Sequence, residues 1–272
     1  MKLLKLTLLA IIVAISASVS AQPKIGDYEW MKQIRTDHPR MFLTAEDIPQ
    51  ITKAANSYEN YCFRTMKRQI DKLIGQEIVF KNPLSRTGEN TQNDRYGERV
   101  SEAAMLWLIT KEEKYLDFTK SLLYKLIDYY KLRVANDLNI TWFAFPVLST
   151  LCAYDWIYND LSAEEREKMG RELYYATYNV AWHGSGYREK RYRENPSGYN
   201  SGLYGSSMLP WYIGLTFIHE GINDKECKRM LYNGYDLHQK MAEQNHQSAD
   251  DKAGQRQQRG EPLGILHGPG DF

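Results

Sequence analysis

Thr141 to Glu165 reads TWFAFPVLSTLCAYDWIYNDLSAEE. From Trp142 to Ile157 this stretch is apolar nearly all round, the pattern of a buried inner helix and not of a surface one, with Pro146 tolerated near its start. Asp160-Leu161-Ser162-Ala163-Glu164-Glu165 then supplies a capping box, Ser162 with Glu165, opening a helix that carries Leu173, Tyr174, Thr177, Tyr178 and Ala181. Two helices joined by so short a turn must run antiparallel.

Working outward, the same rhythm recurs on both sides. Upstream, Ile70, Leu73 and Ile74 continue a helical pattern begun near Tyr58. Val100, Ala103, Ala104, Leu106 and Trp107 make the next apolar stripe, and Leu116, Leu122, Leu123, Leu126 and Ile127 a third. Between the first two stripes lies Ile78 to Asp94, a polar stretch with Asn82, Pro83, Gly88, Asn90 and Asn93 that reads as a long loop. Downstream, helical patterns over Leu203 to Ile218 and Lys225 to Ala242 flank a turn at Gly221-Ile222-Asn223-Asp224. There is no strand-rich segment, no strong repeat and no internal linker, so the expected class is all-α, built from antiparallel helix pairs.

Asp37-His38-Pro39-Arg40-Met41-Phe42-Leu43-Thr44-Ala45-Glu46-Asp47 leads into this helical body. Pro39 biases His38 toward an extended conformation, Met41 to Leu43 form a short apolar plug, and Thr44 with Asp47 resembles a capping box. At the N-terminus, Lys2 and Lys5 precede an apolar run from Leu6 through Ile15 and the small residues Val19-Ser20-Ala21, the pattern of a cleavable signal peptide spanning residues 1–21. The expectation is an exported, periplasmic or secreted protein that begins at Gln22, with no stable membrane insertion of the mature chain. At the other end, residues from Gln244 onward are polar, lose periodicity and carry no tyrosine. A helical domain over 22–247 followed by a poorly ordered, aberrant or truncated tail over 248–272 is expected.

Electrostatics nominate no partner by themselves. The whole chain has 35 basic and 34 acidic residues, and removal of Lys2 and Lys5 with the leader leaves 33 against 34. Nucleic-acid binding would show a basic excess or stripe, and neither is present, although Arg188, Lys190, Arg191 and Arg193 form a local cluster that could face an acidic ligand or simply line a solvated loop. Cys62, Cys152 and Cys227 are too few and too widely spaced for a disulfide framework, and the apolar settings of Cys62 and Cys152 read as buried thiols. The histidines are not in ligand spacing, no Cys pair accompanies them, and Gly184-Ser185-Gly186 lacks the strand-turn-helix setting of a nucleophile elbow. Neither metal nor cofactor is expected.

The band from Trp142 to Phe217 is dense in aromatics, which either fill cores or cover the apolar faces of sugars. Tyr187, Tyr192 and Tyr199 lie where helical periodicity fails and are, with Trp142, Arg188 and Arg191, the candidates for contacting a glycan. Asn195 to Gly205 is a Gly/Asn-rich loop ending at the start of an apolar helix. There Asn200 could donate its amide to a substrate carboxylate, while Tyr199 or Tyr204 could exchange a proton. The same residues would also make a plain turn and helix cap.

Several segments together resemble the N-terminal helical domain of the heparinase II/III-like polysaccharide lyases. They are His38 to Leu43, the helix from Arg99 followed by Leu108-Ile109-Thr110-Lys111-Glu112-Glu113-Lys114-Tyr115, and Ala153 to Tyr158 leading into Leu161 to Glu165. Their order and spacing also agree, over roughly Tyr28 to Gln247. The resemblance implies an incomplete (α/α) toroid of antiparallel helix pairs, normally followed by β-sandwich domains absent here, and cleavage of acidic, uronate-containing polysaccharides by β-elimination. A neutraliser would bind the uronate carboxylate, a base remove the C5 proton and an acid protonate the leaving oxygen. Asn200 matches the neutraliser position, and the position that is histidine in some members falls at Tyr199 or Ser201. The family's catalytic tyrosine would lie beyond His246, where this chain offers none, so the resemblance implies weak or no activity for this chain alone. Two other readings are a glycoside hydrolase on a related toroid, with Asp155 and Glu102 as its carboxylates, and a non-catalytic glycan-binding module relying on Tyr199 or Trp142.

Overall fold

A computed structural model describes residues 28–57, 60–85, 91–138, 140, 145–184 and 208–258. The chain divides into two compact units, residues 1–34 and 35–272. Of the first, Tyr28 to Ile34 is described, and it forms a 3-10 turn over Glu29–Gln33 with an ion pair between Lys32 and Glu29 at 2.7 Å. The leader expected over residues 1–21 lies outside the described residues.

The second unit is all-helical, with no strand among its described residues. In chain order its helices are α1 (Ile48–Ala55), α2 (Tyr61–Leu73), α3 (Thr91–Thr110), α4 (Glu113–Ala135), α5 (Phe145–Ile157), α6 (Ala163–Asn179), α7 (Leu209–Phe217) and α8 (Asp224–Gln258). A 3-10 turn at Tyr158–Asp160 links α5 to α6, and α6 runs on into a π-helical turn over Val180–Gly184.

The apolar stripes become the core. Val100, Ala103, Ala104 and Leu106 of α3 and Leu122, Leu123, Leu126 and Ile127 of α4 are all buried, as is nearly every residue of α5 from Pro146 to Ile157. α5 is the inner helix its composition demands. Gly97 makes its contact with α3 possible: a Cβ there would stand 2.3 Å from the Pro146 carbonyl oxygen. The Ser162–Glu165 capping box forms in full, Glu165 N donating to Ser162 Oγ at 3.1 Å and Ser162 N to Glu165 Oε2 at 2.8 Å.

Local details differ from expectation where sequence-distant partners intervene. Asp47 Oδ2 accepts from both Thr44 N and Thr44 Oγ1, so this pair closes a turn ahead of α1 and caps nothing. Met41 and Leu43 are buried but Phe42 between them, with φ +63°, is 69% exposed, so the plug is two residues and not three. α3 begins at Thr91, inside the stretch read as loop, because Asn93 is buried and pairs with both backbone groups of Lys81 at 2.8 and 3.0 Å. Cys62 is exposed, while Cys152 and Cys227 are buried and burial raises both thiols, Cys227 to about 12. Past residue 247, α8 continues to Gln258, eleven residues into the expected tail. Residues 244–258 hold five glutamines, two alanines and no proline, and the helix they continue lacks an apolar face. The remaining tail, 259–272, lies outside the described residues.

Candidate functional site

The connections sort to two ends of the second unit's helix array. Short turns at Lys111–Glu112, Tyr158–Ser162 and Ile218–Asn223 join α3 to α4, α5 to α6 and α7 to α8, and hydrogen bonds gather the first two at one end: Trp107 Nε1 donates to Asp160 Oδ2 at 2.7 Å. At the opposite end stand the starts of α3, α5 and α7 and the ends of α4 and α6. Arg133, near the end of α4, donates to the carbonyls of Pro83 and Ser85, and Tyr130 exchanges a hydrogen bond with Thr150 of α5 at 2.8 Å.

At the turn end lies a buried cluster of charge that the sequence reading missed. His38 Nδ1 is 2.6 Å from Asp155 Oδ1 and its Nε2 is 2.7 Å from Glu220 Oε1. Asp155 Oδ2 also accepts from the backbone N–H groups of Arg40 and Met41, at 2.9 and 2.8 Å. Arg40 Nη2 donates to the carbonyls of Thr216 and Ile218, each at 2.8 Å, and lies 3.1 Å from Glu220, so its charge faces the carbonyl end of α7, where the helix dipole is negative. Tyr158 stacks on the imidazole with ring centroids 3.8 Å apart, and Asn159 Nδ2 donates to the His38 carbonyl at 2.6 Å.

Burial opposes a charge on His38, but its hydrogen bonds to Asp155 and Glu220 outweigh that and raise its pKa. Burial likewise opposes charge on Glu220, and the hydrogen bonds from His38 and Tyr158 with the Arg40 charge outweigh it and lower its pKa. With His38 protonated, two cationic side chains face two acidic ones and the set is internally neutral. The His38 side chain is 2% exposed and both its nitrogens are occupied, which rules it out as a proton carrier to substrate. Asp155 is fully buried with both oxygens engaged, which rules it out as a hydrolytic carboxylate facing a cleft, and Glu102 is paired with Arg99 on its own helix. The signal was available: Asp155 is the one charged residue in an otherwise apolar inner helix, and a buried carboxylate needs buried donors.

The residues singled out as site candidates fall in the connections that leave the other end of the array. Trp142 falls in 141–144, between α4 and α5, and Tyr187, Arg188, Arg191, Tyr192, Tyr199, Asn200 and Tyr204 fall in 185–207, between α6 and α7; all lie outside the described residues. Their described flanks are well anchored. Val180 and Ala181 are buried, Arg229 of α8 stands over the Trp182 ring at 4.8 Å, and Met208 and Leu209 are buried at the start of α7. The π turn at Val180–Gly184 is the last described backbone before this connection, and such turns recur beside functional sites. No group of His, Cys, Asp and Glu side chains suited to a metal ion occurs among the described residues, and no described helix is long and apolar enough to cross a membrane.

No family model matches the chain. It is 25% identical over 147 residues to an exo-oligoalginate lyase of Saccharophagus degradans, a stretch amounting to 48% of this chain and 20% of that protein. The chain therefore spans about a fifth of the length of the curated relative it matches, and its relationship is to a polysaccharide lyase, at a distance.

Proposed function

We propose that this chain is the helical toroid portion of an exported polysaccharide lyase that cleaves uronate-containing polysaccharides by β-elimination. The observation that carries the reading is the similarity to an exo-oligoalginate lyase, held by a chain whose described second unit is all-helical. Two further features support it. The segments that hold Trp142 and residues 187–204 both leave helix ends on one side of the array. The acids required by a hydrolase reading, Asp155 and Glu102, are committed to ion pairs.

In this reading Asn200 neutralises the uronate carboxylate by donating its amide, which lowers the barrier to removing the C5 proton because the enolate charge is met by a fixed dipole. Tyr199 or Tyr204 exchanges the proton, and Trp142, Tyr187, Arg188, Arg191 and Tyr192 hold the chain of sugars through ring faces and carboxylate pairs. Export follows from the leader pattern at residues 1–21. The test is ultraviolet absorbance of the unsaturated product, measured with the complete gene product across a panel of uronate polymers. Product formation that falls by about a hundredfold or more in Asn200→Ala is expected, the scale for loss of one charge-stabilising donor. No product from any uronate polymer would overturn the reading.

A further inference from the structure

One face of α2 is exposed and carries aromatic and basic side chains. Tyr61, Arg64, Arg68 and Lys72 stand at helical spacing on one face, and Arg64, Lys67, Arg68, Asp71 and Lys72 line an open depression of about 400 Å³. This lies beside the start of α4, at the turn end of the array: Lys67 Nζ donates to Tyr115 Oη at 2.6 Å and Lys114 Nζ to Asp71 at 2.9 Å.

The charges here fall into two groups. Lys67 and Lys114 face Asp71 and Glu112, with Lys67 3.1 Å from Asp71 and Lys114 3.1 Å from Glu112, and that set balances itself. Partial burial opposes charge on Asp71, but hydrogen bonds from Lys114, Tyr115 and Lys67 hold its pKa down at about 2, so it stays ionised and keeps both lysines occupied. Arg68 and Lys72 are exposed and form no ion pair among the described residues. Tyr61, at the head of the same row, is 65% exposed. An exposed aromatic ring in line with two uncommitted cations is a surface with two different affinities, for a flat apolar face and for spaced anions.

We propose that this face of α2 is a second binding site for acidic polysaccharide: uronate carboxylates pair with Arg68 and Lys72 while Tyr61 covers the C–H face of a sugar ring. The guanidinium fork of Arg68 suits a carboxylate bidentately, and Lys72 adds a point charge one turn away. A polymer held at α2 raises the effective concentration of its remaining length at the connection end, which an exposed surface of low intrinsic affinity can do without contributing to chemistry. Nucleic acid is the less suitable polyanion, because the chain's charge is near balance and the cationic row is one helical face long. The choice of ligand rests on the proposed substrate class; the site itself does not depend on Asn200 or its neighbours.

The experiment is isothermal titration of the whole chain, in an Asn200→Ala background, with a uronate oligosaccharide, its methyl ester and single-stranded DNA. The expected result is binding of the free acid and not of the ester, weakened about tenfold by Arg68→Ala with Lys72→Ala and about threefold by Tyr61→Ala, with affinity falling as salt rises. All three residues are exposed, so the variants fold as the parent does, and unchanged thermal midpoints verify this. Equal affinity of parent and double variant for the acid would overturn the proposal, as would DNA binding as tightly as the oligosaccharide. Failure of the lyase reading shows separately, as absence of unsaturated product.

Discussion

The two ends of the helix array solve opposite problems. At the turn end, the α5–α6 and α7–α8 connections and the His38 to Met41 segment are tied together by a buried set of four charged side chains, every one of them engaged by partners from other segments. At the connection end, helices are held close by backbone proximity, as where Gly97 meets Pro146, and by the hydrogen bonds of Arg133 and Tyr130, and the segments that join them carry the aromatic, basic and amide residues singled out in the sequence. Polar chemistry at the first end is spent on holding the chain together. At the second, Arg133 and Tyr130 make the polar ties, and the residues singled out lie in connections outside the described residues.

The comparison breaks most readily at Asp155. Asp155→Ala removes the acceptor for His38 and for two backbone N–H groups and leaves buried positive charge unmatched, so about 3–5 kcal/mol of stability is expected to go. Denaturant titration measures it. A loss under about 1 kcal/mol would show that apolar packing, and not this charge set, holds the turn end. Next in size, Gly97→Ala tests the connection end by packing alone. The new methyl meets backbone, which cannot rotate away, so α3 and α5 must part at a cost of about 1–3 kcal/mol. An unchanged melting temperature would mean that the two helices are not held so closely.

Glu220→Gln is smaller and carries a pH signature. The raised pKa of His38 contributes stability fully present below its ordinary 6.5 and lost as pH rises through the raised value. The lowered pKa of Glu220 contributes stability present above its ordinary 4.5 and lost as pH falls through the lowered value. The parent's turn end is therefore firmest between those two ordinary values. In Glu220→Gln the part of the acid-side decline that belongs to Glu220 disappears, and His38, keeping only Asp155, loses its contribution at a lower pH than in the parent. About 1–3 kcal/mol is expected at the optimum, the scale of a hydrogen bond to a charged group. A stability profile of unchanged shape would remove Glu220 from the set.

How much of this was legible depends on sequence distance. The stripes of α3 and α4, the all-apolar α5 and the Ser162–Glu165 box are local patterns, and each appears where the periodicity places it. The charged set is not local: His38 reaches Asp155 across 117 residues and Glu220 across 182, and no period or spacing links them. Only the chemical anomaly of a carboxylate within an apolar helix pointed there. Thr44 and Asp47 misled for the converse reason, since their spacing fits a cap but the chain turns before the helix begins. The candidate residues at 142 and 187–204 were chosen by composition and resemblance, and their described surroundings add only where they attach.

The weakest expected effect on stability is the sharpest on the contrast between the two ends. If Asn200 is a ligand-facing amide and not a structural cap, Asn200→Ala leaves the unfolding free energy within about 0.5 kcal/mol of the parent while removing uronate turnover. A capping asparagine would behave otherwise, because replacing it leaves backbone donors at the start of a helix unmet and lowers stability by about 1 kcal/mol. Denaturation and product absorbance on the same two proteins therefore separate the roles. A destabilised variant that keeps its turnover would return Asn200 to the scaffold and leave Tyr199 and Tyr204 without the partner that gives their proton exchange a purpose.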